Sequence, residues 1–557
     1  IKPDAPFKSL SDKLYKIHLR HKAEDTDVEY LFQPLKELHL HNPDGSPGGM
    51  ETVKIFIVVA LLILVIACIN YVNLSTARAT LRSREVSMRK VIGAARSQLF
   101  MQFIIETLLL FLFAVALSLL LIHVLLPAFN LLSGKELVFN LADRQVWLLL
   151  LITFAGTLAA SSIYPALLLS SFEPLRALQG RLTAGMGNAA FRKGLVVTQF
   201  VFSVILITGT LVIGRQLQYI QSKELGYDKS YVFTFSMRNM KDHYEVVKDE
   251  LLKQPGIQDI TRANGNIVAM GNITGNSDWD GKAANQTFIV HPMSVDKSFI
   301  PFFKMKLKEG QPFRGGAADS GHYILNEAAV KEIGMKDPIG KRFALWGIQG
   351  TVTGVISDFH FTSMKEKIGP AVLYSFPHEC ELMYVRTSGK DAAAAIGAVN
   401  KIFRRYNGDY PFRYDFLDEV FNQLYRSEQR TGSLFSLFAG IAILISCLGL
   451  LGLATYTAQV RTREIGVRKV LGASIVSIIQ LLAKDFISLV IIAIIIAVPL
   501  AWYIMGKWLQ DFAYRVNMGW QVFAAAGLIA VFIALITISY QSVKAAVVNP
   551  AASLKGN

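Results

Sequence analysis

Apolar and polar positions in this chain segregate into long blocks. Seven blocks of about twenty apolar residues, the length that spans a bilayer, lie near Ile55–Leu74, Leu99–Leu121, Val146–Leu169, Leu195–Ile213, Leu434–Tyr456, Ile479–Ile504 and Val522–Tyr540. They predict seven membrane helices. Between the fourth and fifth blocks the pattern changes over about 215 residues, enough for a domain with its own core. There Tyr231–Ser236, Thr351–Ile356 and Phe412–Phe416 read as strands, and Asp242–Lys253 and Asp391–Tyr406 read as helices. Tyr323–Leu325 reads as a strand that turns at Asn326, a good N-cap, into the helix Glu327–Ile333. Strands and helices mixed in this order predict an α+β domain. The helix Arg215–Leu225 should run into it from the membrane, and Glu419–Arg430 should run back.

One polar segment occurs twice. Arg82-Ser-Arg-Glu-Val-Ser-Met-Arg-Lys-Val-Ile-Gly-Ala returns as Arg461-Thr-Arg-Glu-Ile-Gly-Val-Arg-Lys-Val-Leu-Gly-Ala. The offset is constant from Cys68/Cys447 to Ala94/Ala473 and again joins Glu106 to Asp485. Each copy stands between two apolar blocks. The chain is therefore a tandem duplication. A complete half would read span, outer domain, span, cationic loop, span, short hairpin, span. Four spans per half make the repeats parallel. In a helix Arg82, Glu85 and Arg89 share one face, Glu85 can pair with Arg89 or Lys90, and Val86 and Val91 offer an apolar side. Gly93-Ala94 should then end the helix. A lipid anchor needs only basic charge, whereas the same residue order used twice favours docking into a protein groove.

Charge sets the expected orientation. The net charge is +15, which could suggest nucleic acid, but the bases cluster in the loops Arg78–Arg96 and Arg461–Lys469 and in Phe172–Lys193. The hairpins Pro127–Gln145 and Lys507–Gly519 are nearly neutral. Excess Lys and Arg in short loops marks the cytoplasmic side. Lys544 and Lys555 put the C-terminus inside, so seven spans put residues 1–50 outside. Tyr30-Leu-Phe-Gln-Pro-Leu is similar to Tyr414-Asp-Phe-Leu-Asp-Glu, which precedes another inward span. Because the chain starts with Ile, it is expected to be a fragment that begins inside an outer domain.

The duplicated motif resembles the cytoplasmic coupling segment of the FtsX/MacB-type permeases, the mechanotransmitting membrane subunits of ABC transporters. Asn326-Glu-Ala-Ala-Val, Asp337-Pro-Ile-Gly-Lys and Val355-Ile-Ser-Asp-Phe-His-Phe resemble that family's extracytoplasmic domain. The resemblance implies a multi-pass α-helical membrane protein with α+β extracytoplasmic domains. Residues 1–50 would be the remnant of a first outer domain, and 51–180 a first three-span permease unit with its coupling loop at 78–98. Residues 181–215 would be a linker plus the first span of the second unit, and 216–430 the second outer domain. Residues 431–557 would complete the second unit, with its coupling loop at 457–477. The implied ATPase-coupling residues are Arg82, Arg84, Glu85, Arg89, Lys90 and Gly93, then Arg461, Arg463, Glu464, Arg468, Lys469 and Gly472. Ser87 and Met88 depart from the second copy's Gly466 and Val467.

The resemblance further implies a bacterial inner-membrane location, large domains on the periplasmic side, a cytoplasmic C-terminus and a separate cytoplasmic ABC ATPase in two copies. Outer-side partners would be an adaptor, an outer-membrane protein or a hydrolase; membrane lipid is the remaining partner and nucleic acid is not expected. The chain should hold no cofactor, using ATP only through the ATPase. Its sequence has no phosphate-binding Gly-x-x-x-x-Gly-Lys loop: Gly310 and Gly315 have the spacing, but Gly316 and Ala317 follow. His360 is expected to be a packed or surface histidine, and Cys68, Cys380 and Cys447 suggest no disulfide or metal framework. The carboxylates Glu106 and Asp485 fall inside spans, where charge is costly unless paired. A tie to a base of the coupling segment is favoured over a proton relay. Two other functions fit the sequence less well: a non-transporting regulator of a cell-wall hydrolase in the same fold, and a membrane receptor or scaffold.

Overall fold

The computed structural model describes residues 6–21, 30–38, 40–41, 48–170, 186–283 and 286–547. Contacts divide the chain into two units. One holds Ile1–Leu211, Arg430–Tyr503 and Gly519–Asn557; the other holds Val212–Gln429 and Ile504–Met518.

Helix α1 (Phe7–His21) comes first. In the first repeat α2 (Gly49–Leu81) is followed by the short α3 (Ser83–Val91), α4 (Arg96–Ser133) and α5 (Arg144–Ser170). Helix α6 (Met186–Ser222) leads toward the mixed domain. That domain runs β1 (Val232–Ser236), α7 (Tyr244–Leu252), β2 (Ile257–Ala263), β3 (Ser277–Trp279), β4 (His291–Ser294), α8 (Phe299–Phe302), β5 (Leu307–Gly310), β6 (His322–Asn326), α9 (Glu327–Ile333), β7 (Arg342–Leu345), β8 (Ile348–Ile356), β9 (Ala371–Tyr374), β10 (Leu382–Thr387), α10 (Ala392–Asn407) and β11 (Asp415–Phe416). The second repeat closes with α11 (Leu417–Leu424), α12 (Arg426–Val460), α13 (Thr462–Val470), α14 (Ile475–Leu509) and α15 (Trp520–Val547).

Among the described residues, 7 helices are long and apolar enough to cross a membrane, and each expected block lies within one of them. The chain is a multi-pass membrane protein with a mixed α/β domain. The 35 residues of α12 rise roughly 50 Å, well beyond a 30 Å hydrocarbon core. The membrane unit is held by small residues. Ala493 and Ala497 of α14 share one buried cluster with Ala526, Ala530 and Ala534 of α15 and with Phe200, Val204 and Ile207 of α6. Alanines spaced four apart let helices approach closely where lipid gives no hydrophobic drive. Ser203 and Ser446 hydroxyls meet at 2.9 Å between α6 and α12. A Cβ on Gly449 of α12 would lie 2.6 Å from Asn70 Oδ1 of α2, so a larger residue at this crossing would have to displace the Asn70 amide. Asn70 and Gly449 occupy the same repeat position, as expected where two related halves meet about an axis.

In the other unit one sheet has the order β11-β1-β10-β2, antiparallel throughout. Helices α7 and α10 cover it through Val247, Leu251, Val399 and Phe403. The second sheet runs β3-β7-β8-β6-β9-β4, with β5 paired to β8; the β6/β8 and β4/β9 pairs are parallel. Asn326 caps α9, its side chain accepting from Ala329 N at 3.0 Å. Two expectations need correction. The strand read at Phe412–Phe416 shrinks to Asp415–Phe416, because Phe412 packs edge-on against Phe235 and Tyr414 against Phe233 instead of extending the ladder. The returning helix is broken at Tyr425, which is 2% exposed and whose hydroxyl accepts from Met364 N at 2.9 Å. A helix bent there seats the tyrosine in the domain core.

Candidate functional site

The two cationic segments form short helices, α3 and α13, each joined to the following span by a tight glycine turn. Gly93 has φ +105 and Gly472 has φ +87, both in the region that favours glycine. In each turn the next amides bond back into the helix: Gly93 N to Lys90 O at 3.0 Å and Ala94 N to Arg89 O at 3.0 Å, then Gly472 N to Lys469 O at 3.1 Å and Ala473 N to Arg468 O at 2.9 Å. This is the usual way to close a helix on a left-handed residue.

Burial follows the same register in both copies. Val86 and Ser87 face inward, as do Ile465 and Gly466. Val86 packs with Leu99, Phe103 and Ala166; Ile465 packs with Ala458, Ile478 and Leu482. Val91 does not share Val86's face, contrary to the sequence expectation. Five residues rotate a helix by about 500°, leaving the two side chains about 140° apart. Val91 is 61% exposed and its counterpart Val470 65%. Ile92 and Leu471 are both 80% exposed, and Met88 and Val467 are also exposed. Each short helix therefore presents an apolar ridge flanked by cations. No sequence signal separated these ridge residues from the buried ones, because both are aliphatic.

The acids inside the spans are tied to these helices. Arg82 Nη1 lies 2.8 Å from Glu106 Oε2, and Arg461 Nη2 lies 3.0 Å from Asp485 Oδ2. Each acid therefore has the basic partner that the pairing reading expected. The hydrogen bond with Glu106 holds Arg82 more firmly in its charged form, against some opposition from burial. Around this common anchor the copies differ. In the first, Glu85 pairs with Arg82 at 3.4 Å and with Arg89 at 2.8 Å. Arg89 also donates to Gln102 Oε1 at 2.8 Å, and Gln102 donates to Glu106 Oε1 at 3.0 Å, which closes a ring. In the second, Glu464 and Arg468 pair at 2.9 Å, separately from the Arg461–Asp485 pair. Lys90 donates to Ser170 O at 2.7 Å, and burial, with Arg96 nearby, lowers its proton affinity. Gln102 and Ser170 were not singled out from sequence; a glutamine four residues before Glu106 was the available signal for the first. The side chains of Arg84 and Arg463 lie outside the described residues.

Other sequence candidates are structural. Gly310 ends β5 with φ +78 against the Thr353 backbone, and the stretch after it leads through a 3-10 turn into a strand, not a phosphate-cradling helix. His360 is 7% exposed with its ring 4.7 Å from that of Tyr514, and burial, helped by Lys223, pushes its pKa down to about 4. Cys380 is buried beside Ser294, and burial pushes its thiol up to about 11.

Two regions of the chain match a known family. Residues 57–174 and 436–550 each match the FtsX-like permease C-terminal family, and these two regions contain α3 and α13. The macrolide export ATP-binding/permease protein MacB of Escherichia coli is 24% identical over 398 residues, covering 66% of this chain and 59% of that protein. The protein of the same name from Chromobacterium violaceum is 24% identical over 227 residues, covering 38% of this chain and 34% of its own length. The chain thus spans between about a third and three-fifths of these relatives. A crystal structure of the periplasmic region of MacB from Actinobacillus actinomycetemcomitans aligns with 38% of this chain and 99% of its own, at 15% identity and a TM-score of 0.26. Through its two matching membrane regions, the chain is similar to the FtsX/MacB-like ABC transporter permeases.

Proposed function

We propose that this chain couples ATP hydrolysis by a separate cytoplasmic ABC ATPase to movement of its outer domain. Export or extraction of a substrate would be the result. The observation that carries this reading is the pair α3 and α13. Each presents Ile92 or Leu471 and an adjacent arginine outward, and each is fastened by an Arg–carboxylate pair to the span that follows. An apolar ridge with flanking charge suits a protein groove, in which the aliphatic side chains are buried and the charges fix register. Two such ridges accept two ATPase subunits. ATP binding draws the subunits together, the short helices follow, and the Arg–carboxylate ties pass the displacement to α4 and α14. The spans move as rods, and work is done on the outer side.

The positive-inside bias supports a cytoplasmic place for α3, α13 and the C-terminus in a bacterial cell, with the mixed domain on the periplasmic side of the inner membrane. The chain's own residues position and transmit; the phosphate chemistry belongs to the ATPase. The test is purification of the chain from its native membrane with whatever ATPase accompanies it. The wild-type chain should stimulate hydrolysis, and Glu464→Ala combined with Arg468→Ala should abolish most of that stimulation. Undiminished stimulation by the double variant would overturn the assignment of α13, and a chain that brings no ATPase with it would overturn the reading as a whole.

A further inference from the structure

The turn between α14 and α15 is short and follows a membrane span, yet it is built into the outer domain. Ala513 N donates to Lys365 O at 3.1 Å, and Tyr514 N donates to Met364 O at 3.2 Å. Gln216 of α6 is 0% exposed and holds the turn with both ends of its amide: Nε2 donates to Tyr514 O at 2.8 Å, and Oε1 accepts from Val516 N at 2.9 Å. The Tyr514 hydroxyl accepts from Ile368 N at 3.4 Å. Phe512 is 3% exposed and joins the core that contains Phe303, Phe359 and Tyr425. A polar turn that served only to reverse the chain could stay solvated.

The same outer-domain segment is gripped from a second direction. Met364 N donates to the Tyr425 hydroxyl at 2.9 Å, and Lys365 Nζ pairs with Glu428 at 2.5 Å. Tyr425 and Glu428 stand where α11 gives way to α12. Helix α12 runs to one end of α13, and α14 runs from the other. The two helices flanking α13 therefore both end on Met364 and Lys365, one through Tyr425 and Glu428, the other through Ala513 and Tyr514. Gln216 brings a third membrane helix to the same place.

We propose that Met364–Lys365 is the joint at which the outer domain receives motion from both arms of α13, with Gln216 and Tyr514 as the positioning residues that keep the second arm engaged. The inference rests on the coupling role proposed above. A single attached arm lets the domain swivel. Two arms fixed to one point convert a tilt of α13 into a defined displacement.

The experiment uses the whole chain in lipid nanodiscs and two variants. Gln216→Leu keeps the volume and removes both amide bonds; Tyr514→Phe keeps the ring and removes only the hydroxyl. Hydrogen exchange, measured without nucleotide, should quicken about tenfold at Ala513, Tyr514 and Val516 in Gln216→Leu, the loss expected for one buried hydrogen bond. The decisive amide is the Met364 N–H, which donates to Tyr425; the Met364 carbonyl accepts from the Tyr514 backbone N–H, so neither bond uses an atom that the substitutions remove. Exchange at this N–H should quicken as well, with a smaller change in Tyr514→Phe. Unchanged protection at Met364 would overturn the proposal, because the two arms would then be independent. A second readout uses spin labels at Ile273→Cys and Val476→Cys with the accompanying ATPase and ATP. The ATP-dependent distance change should fall by about half or more in Gln216→Leu while the stimulated ATPase rate holds, a separation that general destabilisation would not produce. Full movement in that variant would also overturn the joint. If wild type itself shows no stimulated ATPase, the coupling reading fails, and the exchange at Met364 still decides whether the arms are joined.

Discussion

The first cationic helix, α3, sits in a closed ring and the second, α13, in two separate pairs. Arg82, Glu85, Arg89, Gln102 and Glu106 form one circuit, whereas Arg461–Asp485 and Glu464–Arg468 stand apart. Two links make the difference: among the described residues Glu85 reaches Arg82 in the first copy whereas Glu464 pairs with Arg468, and one substituted repeat position supplies the other. Gln102 bridges Arg89 to Glu106, and its counterpart is Leu481. The shared Arg–carboxylate anchor survived duplication while the brace around it diverged. The comparison teaches that, among the described residues, α3 is fastened to α4 at two points and α13 to α14 at one, so equal pushes on the two helices should give unequal tilts.

Six substitutions break or sharpen that contrast, read as local stability from hydrogen exchange of α3 and α13 in nanodiscs. The largest effect should come from Gly93→Val or Gly472→Val, since a β-branched residue at positive φ costs about 1–2 kcal/mol or more. It should be similar in the two copies, because the turns are alike. Arg82→Ala comes next and should cost about 1–2 kcal/mol, as two acids lose a partner, against about 1 kcal/mol or less for Arg461→Ala. Equal losses would contradict the ring. Gln102→Leu should lower the stability of α3 by about 0.5–1 kcal/mol and make its exchange resemble that of α13, the net worth of the lost hydrogen bonds. Glu464→Gln should have the smallest effect, about 0.3–0.5 kcal/mol for an exposed pair one turn apart, and salt should mask it.

Much of this architecture is legible in the sequence because bilayer physics leaves few options. An apolar block of twenty residues has to be helical, and each of the seven expected blocks is. The duplicated motif and the glycine that ends it can be read directly, since a repeat supplies its own control. The cost of a carboxylate within a span pointed to a basic partner for Glu106 and Asp485, although not to which base. What escaped was set by geometry beyond the local window. The outward turn of Val91 needed the helix phase, which only packing on Phe103 and Ala166 fixes. The break at Tyr425 depends on Met364, distant in sequence. The grip of Gln216 on the turn at Tyr514 joins residues about 300 positions apart, and no periodicity reports such a contact. Aromatic packing overrode strand propensity at Phe412 and Tyr414, a tertiary effect invisible to the residues themselves.

The most direct trial of the central claim is labelling of Ile92→Cys and Leu471→Cys by a membrane-impermeant maleimide in oriented vesicles. The account predicts that both sites react only from the cytoplasmic face and that both become protected when the ATPase is bound. Reaction from the outer face, or unaltered reactivity of both sites with the ATPase bound, would contradict it.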